Sequence, residues 1–215
     1  MNAWKHSLSS SLVFGGQPED YLAVHQLLDG SKLFFYDARH RILLHHLFGM
    51  EIAEEVFGAT TQNSDGQHVP IREIVAMHLR EDLSKRTPSL EDWFAKQEPR
   101  LGKIVTDPID LDEDIEAFIK RPWMRSGLRS TMLITFSHFG VYLAELLHGV
   151  RFAVRLAEVI PKHHSLRILM SNVKLQDKWQ YTIDHTSVER VDRYELARGS
   201  ETPRTCNRGR LSPHA

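Results

Sequence analysis

Cysteine is almost absent from this chain of 215 residues. Its single copy, Cys206, lies among polar residues close to the C-terminus. One cysteine excludes an intrachain disulfide and any metal site built from several thiolates of the same chain. Histidines and carboxylates are the ligand types that remain for a metal ion.

An excess of charge of one sign is also lacking, because 27 Lys and Arg stand against 28 Asp and Glu, for a net charge of -1. This balance gives no electrostatic reason to expect a nucleic-acid partner. The sequence has no run of 18 apolar residues, and its N-terminus has neither the charged start nor the apolar run of a secretory signal. We therefore expect no transmembrane segment and a cytoplasmic location.

Histidine, in contrast, is abundant, with 13 copies in the chain and an apolar fraction of 41% to form a core around them. The residues from Asp37 to Gly58 predict one long, largely buried helix with an acidic cap and a glycine stop. Helical periodicity places His45 and His46 beside the small residues of this helix, Gly49 and Ala53 among them, and His40 on the opposite, polar side.

Two further predicted helices share a pattern of histidine followed by aspartate four residues later. The first runs from about residue 18 to residue 29 and pairs His25 with Asp29. The second runs from about residue 71 to residue 83 and pairs His78 with Asp82. In both helices the histidine lies on the apolar face, so each aspartate is placed to orient or neutralise a half-buried imidazole.

The segment between the long helix and the third one predicts a small β-hairpin or an ordered loop near residues 59–70. Its turn signal is Asn63-Ser64-Asp65-Gly66, flanked by residues that tolerate strands. This turn places His68 on the return arm, next to the start of the following helix.

The second half of the chain predicts an α or α+β extension of a mainly α protein. Residues 132–160 are apolar but interrupted by charges at helical spacing, which favours one or two packed helices and a surface for a protein partner or a second copy. Residues 166–170 and 179–183 are β-like, and a polar, basic composition predicts a disordered tail. The expected divisions are 1–127 for a histidine-rich helical domain, 128–196 for the extension and 197–215 for the tail.

The histidines and aspartates of the first half are candidate ligands for a divalent metal such as zinc or manganese, because a helical core can bring such side chains together. His45, His46 and His78 are the preferred ligands. Asp82 is an additional ligand or an orienting residue, and His25 and His68 are alternates. No H-E-x-x-H motif occurs, and the one E-x-x-H match, Glu145 to His148, is a weak indication on its own.

Several blocks of the first half resemble a family of short, uncharacterised, histidine-rich proteins of bacteria and phages, known as a domain of unknown function. The blocks are WKHSLSSSLVFGGQPEDYLAVH, DARHRILLHHLFG with AEEVFG, NSDGQHVPIREI, HLREDL and PSLEDW. They cover about residues 1–95. The resemblance implies that the recurring positions are His6, His25, Arg39, His40, Arg41, His45, His46, Gly49, Asp65, Gly66, His78, Glu81 and Asp82, and no activity comes with them.

Two functions follow from these observations. The first is a divalent-metal-binding helical protein, which extends to a metal-dependent hydrolase. The second is a non-enzymatic interaction module in which the histidines form a structural, hydrogen-bonded core, as most single buried histidines do. Composition and spacing leave both functions open.

Overall fold

The structure, a computed structural model, describes residues 2–105, 110–161 and 166–172. These residues confirm the mainly α class, with a single small sheet. The predicted tail 197–215 and the β-like segment 179–183 lie outside the described residues, and the divisions predicted at residues 127 and 196 stay predictions. The β-like prediction for 166–170 is wrong, because these residues lie in a helix.

The described residues form twelve α-helices and two β-strands, joined in places by 3-10 turns. The elements in chain order are α1 (Ala3–Phe14), α2 (Glu19–Asp29), α3 (Arg41–Leu44), α4 (Leu47–Phe57), β1 (Thr60–Gln62), β2 (His68–Pro70), α5 (Ile71–Asp82), α6 (Leu90–Phe94), α7 (Glu98–Leu101), α8 (Glu113–Ser126), α9 (Met132–Thr135), α10 (His138–His148), α11 (Val150–Val159) and α12 (Leu166–Asn172). The 3-10 turns are Gly30–Leu33, Ala38–His40 and Arg129–Thr131.

Helix α1 lies in a segment for which the sequence pattern predicts no helix. Its buried residues are His6, Ser7 and Ser10, all of them polar. Its apolar residues Leu8 and Leu12 are 42% and 88% exposed. A helix that turns polar side chains inward lacks the apolar stripe by which amphipathic helices are identified, which explains why the prediction missed it.

The long helix predicted from Asp37 to Gly58 is wrong, because the chain breaks at His45 and His46, between α3 and α4. His46 has extended backbone (φ -161°, ψ 174°), and its side chain caps α4 by accepting a hydrogen bond from the backbone N–H of Gly49. The carbonyl oxygen of Leu44 lies only 1.9 Å from where a Cβ of Gly49 would be. Glycine at position 49 is what permits the last carbonyl of α3 to pack against the first turn of α4.

The predicted hairpin is confirmed, with β1 and β2 antiparallel and Thr61 opposite Val69. Its turn is attached to the connection between α1 and α2. The side-chain N–H₂ group of Asn63 donates to the carbonyl oxygen of Phe14 at 2.9 Å and to the hydroxyl oxygen of Tyr21 at 3.1 Å. The hairpin therefore fixes the position of α1, and with it the position of His6.

Residues 132–160 contain three helices, α9 to α11, where one or two were expected. Residues 129–149 repeat the backbone of residues 38–58: a 3-10 turn, a four-residue helix, a two-residue break and an eleven-residue helix ended by glycine. Phe136 (φ -93°, ψ 52°) has nearly the backbone conformation of His45 (φ -84°, ψ 63°). Ser137 (φ -154°, ψ 175°) caps α10 as His46 caps α4. Residues 38–58 thus have a structural counterpart that the sequence pattern did not reveal.

No single helix among the described residues is long and apolar enough to cross a membrane. Arg129–Thr135 and His138–His148 reach that length and composition only as a pair, bent by 65°. Helices α2, α4 and α5 pack around the break between α3 and α4, and most of the buried histidines lie there.

Candidate metal centre

Four buried side chains converge where α2, the α3–α4 break and α5 meet. They are Asp29 at the end of α2, His45 in the break, and His78 and Asp82 on one face of α5. Each offers one ligand atom, and these atoms all lie within 4.8 Å of one another. Among the described residues this is the group of histidines and carboxylates that could hold a metal ion.

The two imidazoles face each other through their Nε2 atoms, which are 3.1 Å apart. The Nε2 atom of His45 lies 3.4 Å from Oδ2 of Asp82, and the Nε2 atom of His78 lies 4.0 Å from Oδ1 of Asp29. Nitrogens bound to one tetrahedral zinc at about 2.0–2.1 Å are roughly 3.3 Å apart. The imidazole pair already has nearly this spacing, and the carboxylate oxygens lie farther out, with all four ligand atoms within 4.8 Å of one another.

Burial keeps both imidazoles in the neutral form that binds metals. The pKa of His45 is lowered by removal from water, against the raising effect of its hydrogen bond with Asp82. The pKa of His78 lies well below its usual value, because of burial and the nearby His45 and His6. Neutral imidazoles leave the nitrogen lone pairs free of protons.

The two carboxylates differ in their surroundings. Burial by itself would raise the pKa of Asp82, but hydrogen bonds with His45 and His6 and the charge of Arg41 outweigh it, so the pKa is lowered. Asp29 is also buried, and its Oδ1 lies 2.7 Å from the ammonium group of Lys32. Its other oxygen, Oδ2, has no hydrogen-bond partner. A buried carboxylate oxygen without a donor is costly unless a cation or water satisfies it.

A second layer of side chains holds His78 in place. Nδ1 of His78 is 3.0 Å from Nδ1 of His25, and Nε2 of His25 is 2.9 Å from the hydroxyl of Ser10. The ring of His6 stacks on the ring of His78 with centroids 3.8 Å apart. Partners of this kind fix the orientation of a metal-binding imidazole.

His6 also connects the centre to α5 through two carboxylates. Its Nδ1 is 2.5 Å from Oε2 of Glu81, and its Nε2 is 3.3 Å from Oδ1 of Asp82.

Residues 1–101 match the family described as "Domain of unknown function (DUF6915)". All four candidate ligands and their second layer lie within the matched residues.

The match confirms the predicted resemblance to an uncharacterised family, and extends it slightly beyond residue 95. No curated protein and no solved structure matches the chain.

The other predicted ligands lie outside this group of four side chains. Both nitrogens of His46 serve the backbone: Nδ1 accepts from the N–H of Gly49, and Nε2 donates to the carbonyl oxygen of Ile42 at 3.0 Å. His68 is exposed on β2. His25 contacts His78 and belongs to the second layer. The structure thus brings together His45, His78 and Asp82 with Asp29, the aspartate that the sequence pattern pairs with His25.

Residue patterns missed three members of the second layer: His6, Arg41 and Glu81. His6 lies on the helix without an apolar stripe, and the contacts of Arg41 with Asp82 and of Glu81 with His6 join residues far apart in sequence. All three are among the recurring positions that the family resemblance implies. That resemblance was the only signal in the sequence that pointed to them.

Proposed function

We propose that this protein binds one divalent transition-metal ion through His45, His78, Asp29 and Asp82. The observation that supports this most directly is the pair of Nε2 atoms, 3.1 Å apart and both directed at buried carboxylates. Two neutral imidazoles and two carboxylates are ligand types shared by zinc and manganese.

The coordination number decides what such a site does. Four protein ligands close a tetrahedral zinc site, whereas six-coordinate manganese keeps two positions for water or substrate. A metal with an open position lowers the pKa of its bound water and makes hydrolysis the natural reaction class. Within this proposal Asp29 is the candidate general base, because its Oδ2 atom has no other hydrogen-bond partner.

Metal content tests the proposal. Full-length protein purified without an affinity tag should contain close to one equivalent of metal, and His45→Ala/His78→Ala should contain almost none. His138→Ala is the matched control, because His138 is exposed at the start of α10. Wild-type protein that is metal-free, and that gains no thermal stability from added zinc or manganese, would refute metal binding.

The interaction-module alternative has an observation of its own. Ser10, His25, His78 and His45 form an unbroken series of contacts of 2.9, 3.0 and 3.1 Å. One choice of tautomers forms all three contacts between neutral groups without a metal and leaves only Nδ1 of His45 without a partner among the described residues. In that case His78→Ala lowers the free energy of unfolding and has no effect on metal content.

This alternative also uses the apolar surface expected within residues 132–160. Leu146, Val150 and Val154 are 42%, 63% and 53% exposed there. If this surface binds a second copy, Val150→Lys/Val154→Glu should shift the protein from dimer to monomer in sedimentation. A monomeric wild-type protein would leave this surface without a role in self-association.

A further inference from the structure

Two buried ring nitrogens on neighbouring histidines have no hydrogen-bond partner among the residues that the structure describes. They are Nδ1 of His45, which is the ring nitrogen not used as a candidate ligand atom, and Nε2 of His40. The His45 residue is fully buried and His40 is 2% exposed, so bulk water does not satisfy either atom. A buried polar atom without a partner calls for an explanation, and one of these two belongs to a proposed metal ligand.

The unpartnered atom of His40 is a hydrogen-bond acceptor. Nδ1 of His40 lies 2.9 Å from the backbone carbonyl oxygen of Asp37. A carbonyl oxygen can only accept, so Nδ1 carries the proton of the ring. Burial and the neighbouring His45 hold the pKa of His40 well below its usual value, so the ring is neutral. Its Nε2 atom therefore has a lone pair and no proton.

Metal binding makes the unpartnered atom of His45 a donor. A metal ion uses the lone pair of Nε2, and a neutral imidazole then carries its proton on Nδ1. In the metal-free protein the proton has an alternative place, because Oδ2 of Asp82 lies 3.4 Å from Nε2 of His45 and favours a proton there. Loading the centre removes this alternative and leaves a buried N–H group that needs an acceptor.

The rings of His40 and His45 are close enough for a hydrogen bond between these two atoms. Their centroids are 5.2 Å apart, with the ring planes at 76°. The pairs His25–His78 and His45–His78, whose nitrogens are 3.0 and 3.1 Å apart, have centroids separated by 5.2 and 5.0 Å. A reorientation of the two rings, without an approach of the backbone, therefore suffices to join them.

We infer that His40 is a positioning residue for the metal ligand His45. Its Nε2 accepts the Nδ1–H of His45 and so holds that imidazole with its Nε2 lone pair toward the metal. The inference rests on the proposed metal binding. Each group in the resulting series donates to the next, from His45 to His40 and from His40 to the Asp37 carbonyl oxygen, which ends the series because it only accepts.

Zinc titrations of full-length proteins test this role. His40→Leu removes the acceptor and should weaken zinc binding about 10- to 100-fold, the usual effect of losing such a partner. His40→Gln keeps an oxygen that can accept from His45, and it should restore most of the affinity. His138→Leu is the matched control, because it makes the same change at an exposed histidine and should leave the affinity unaltered.

Nitrogen NMR of the wild type gives a readout that a merely structural histidine would not produce. In zinc-loaded protein with ¹⁵N in its histidine rings, Nδ1 of His45 should carry the proton. It should also show scalar coupling across the hydrogen bond to Nε2 of His40. This measurement needs no variant, so it decides the role of His40 even if His40→Leu does not fold.

The outcomes separate this role from the metal site itself. Zinc loading without coupling between the two rings, or with an affinity that His40→Leu leaves unchanged, overturns the inference and leaves the metal site standing. Equal weakening by His40→Leu and His40→Gln also overturns it, because a loss of packing then explains both. Failure of the wild type to bind zinc or manganese overturns the proposed function, and the role of His40 with it.

Discussion

Residues 38–58 and 129–149 have nearly the same backbone conformation but different side chains at the break between their two helices. In the first segment the break between the two helices carries His45, a candidate metal ligand, and His46. In the second segment the corresponding residues are Phe136 and Ser137, both buried. Because the same geometry forms around phenylalanine and serine, the break is a packing feature that exists without histidine. His45 therefore occupies a backbone conformation that also forms without histidine.

The two segments share the residues on which the backbone depends. Gly58 and Gly149 end their helices with φ angles of 88° and 83°, and Gly49 and Gly140 admit a carbonyl oxygen from the preceding helix. Their surroundings differ, because α5 supplies a histidine and an aspartate, whereas α11 contains neither. The second segment therefore has the bend without the carboxylates that would make it a metal site.

The largest expected effect tests whether both breaks depend equally on the close packing of a glycine against a carbonyl oxygen. A Cβ at position 49 would lie 1.9 Å from the Leu44 carbonyl oxygen, and one at position 140 would lie 1.7 Å from that of Thr135. Gly49→Ala and Gly140→Ala should each lower the free energy of unfolding by more than about 3 kcal/mol, because backbone atoms cannot rotate away. Urea denaturation measures both.

Gly66→Ala is the control for these two variants, because position 66 has positive φ but no atom within 4 Å of an added Cβ. It should cost only about 1–2 kcal/mol, the penalty for a left-handed residue. A small effect at position 49 with a large one at position 140 would show that the two breaks are held in different ways.

The second effect is the loss of stability in acid that the buried histidines in and around the first break should cause. Burial lowers the pKa values of His25 and His46 to about 3, from 6.5. A depressed histidine pKa means that the unfolded chain binds more protons between pH 6.5 and about 3, so stability is full above pH 6.5 and falls below it. At pH 5.5 each of the two should remove about 1.4 kcal/mol from the free energy of unfolding, or about 3 kcal/mol together.

His46→Ser installs the residue found in the second break and sharpens this test. It keeps a capping side chain and removes a titrating one, so the loss of stability between pH 7.5 and pH 5.5 should be about 1.4 kcal/mol smaller than in the wild type. Denaturation at the two pH values measures the difference. An unchanged pH dependence would contradict a buried, neutral His46.

Periodicity was sufficient to predict the elements whose burial follows an apolar stripe. Helix α5 exposes Arg72 and Glu73 and buries Ile74, Val75 and His78, and its helical spacing brought His78 and Asp82 to one face as expected. Turn chemistry was equally sufficient for the hairpin at Asn63 to Gly66. Local rules identify such elements because the forces that form them act over a few residues.

Local rules failed where the decisive contact comes from elsewhere. The 37–58 segment has helical periodicity throughout, and only the packing of Leu44 against Gly49 shows that it bends. The bend is also what separates the neighbours His45 and His46, one toward the candidate ligands and the other toward the backbone. Asp29 enters the group only through tertiary packing, which spacing along α2 cannot reveal.

The third effect concerns His45, the proposed metal ligand that the second break lacks. At a zinc concentration 100 times its dissociation constant, binding should add about 2.7 kcal/mol to the stability of the wild type. His45→Phe, which copies the second break, should abolish this gain. Phe136→His should create no second site, since α11 contains neither a histidine nor an aspartate to complete one. Thermal unfolding with and without zinc measures all three proteins.

The smallest effect is the capping bond that both breaks share. Gly140 donates its N–H to the Ser137 hydroxyl at 3.4 Å, and Gly49 donates to Nδ1 of His46 at 3.1 Å. Ser137→Ala should cost about 1 kcal/mol, the usual worth of a helix cap, and Ser137→Asn should restore most of it. Neither change should alter metal content, because the second break holds none of the proposed ligands. A loss of metal on changing Ser137 would mean that the two breaks are coupled through the α4–α10 packing, and that the second segment supports the site which only the first can form.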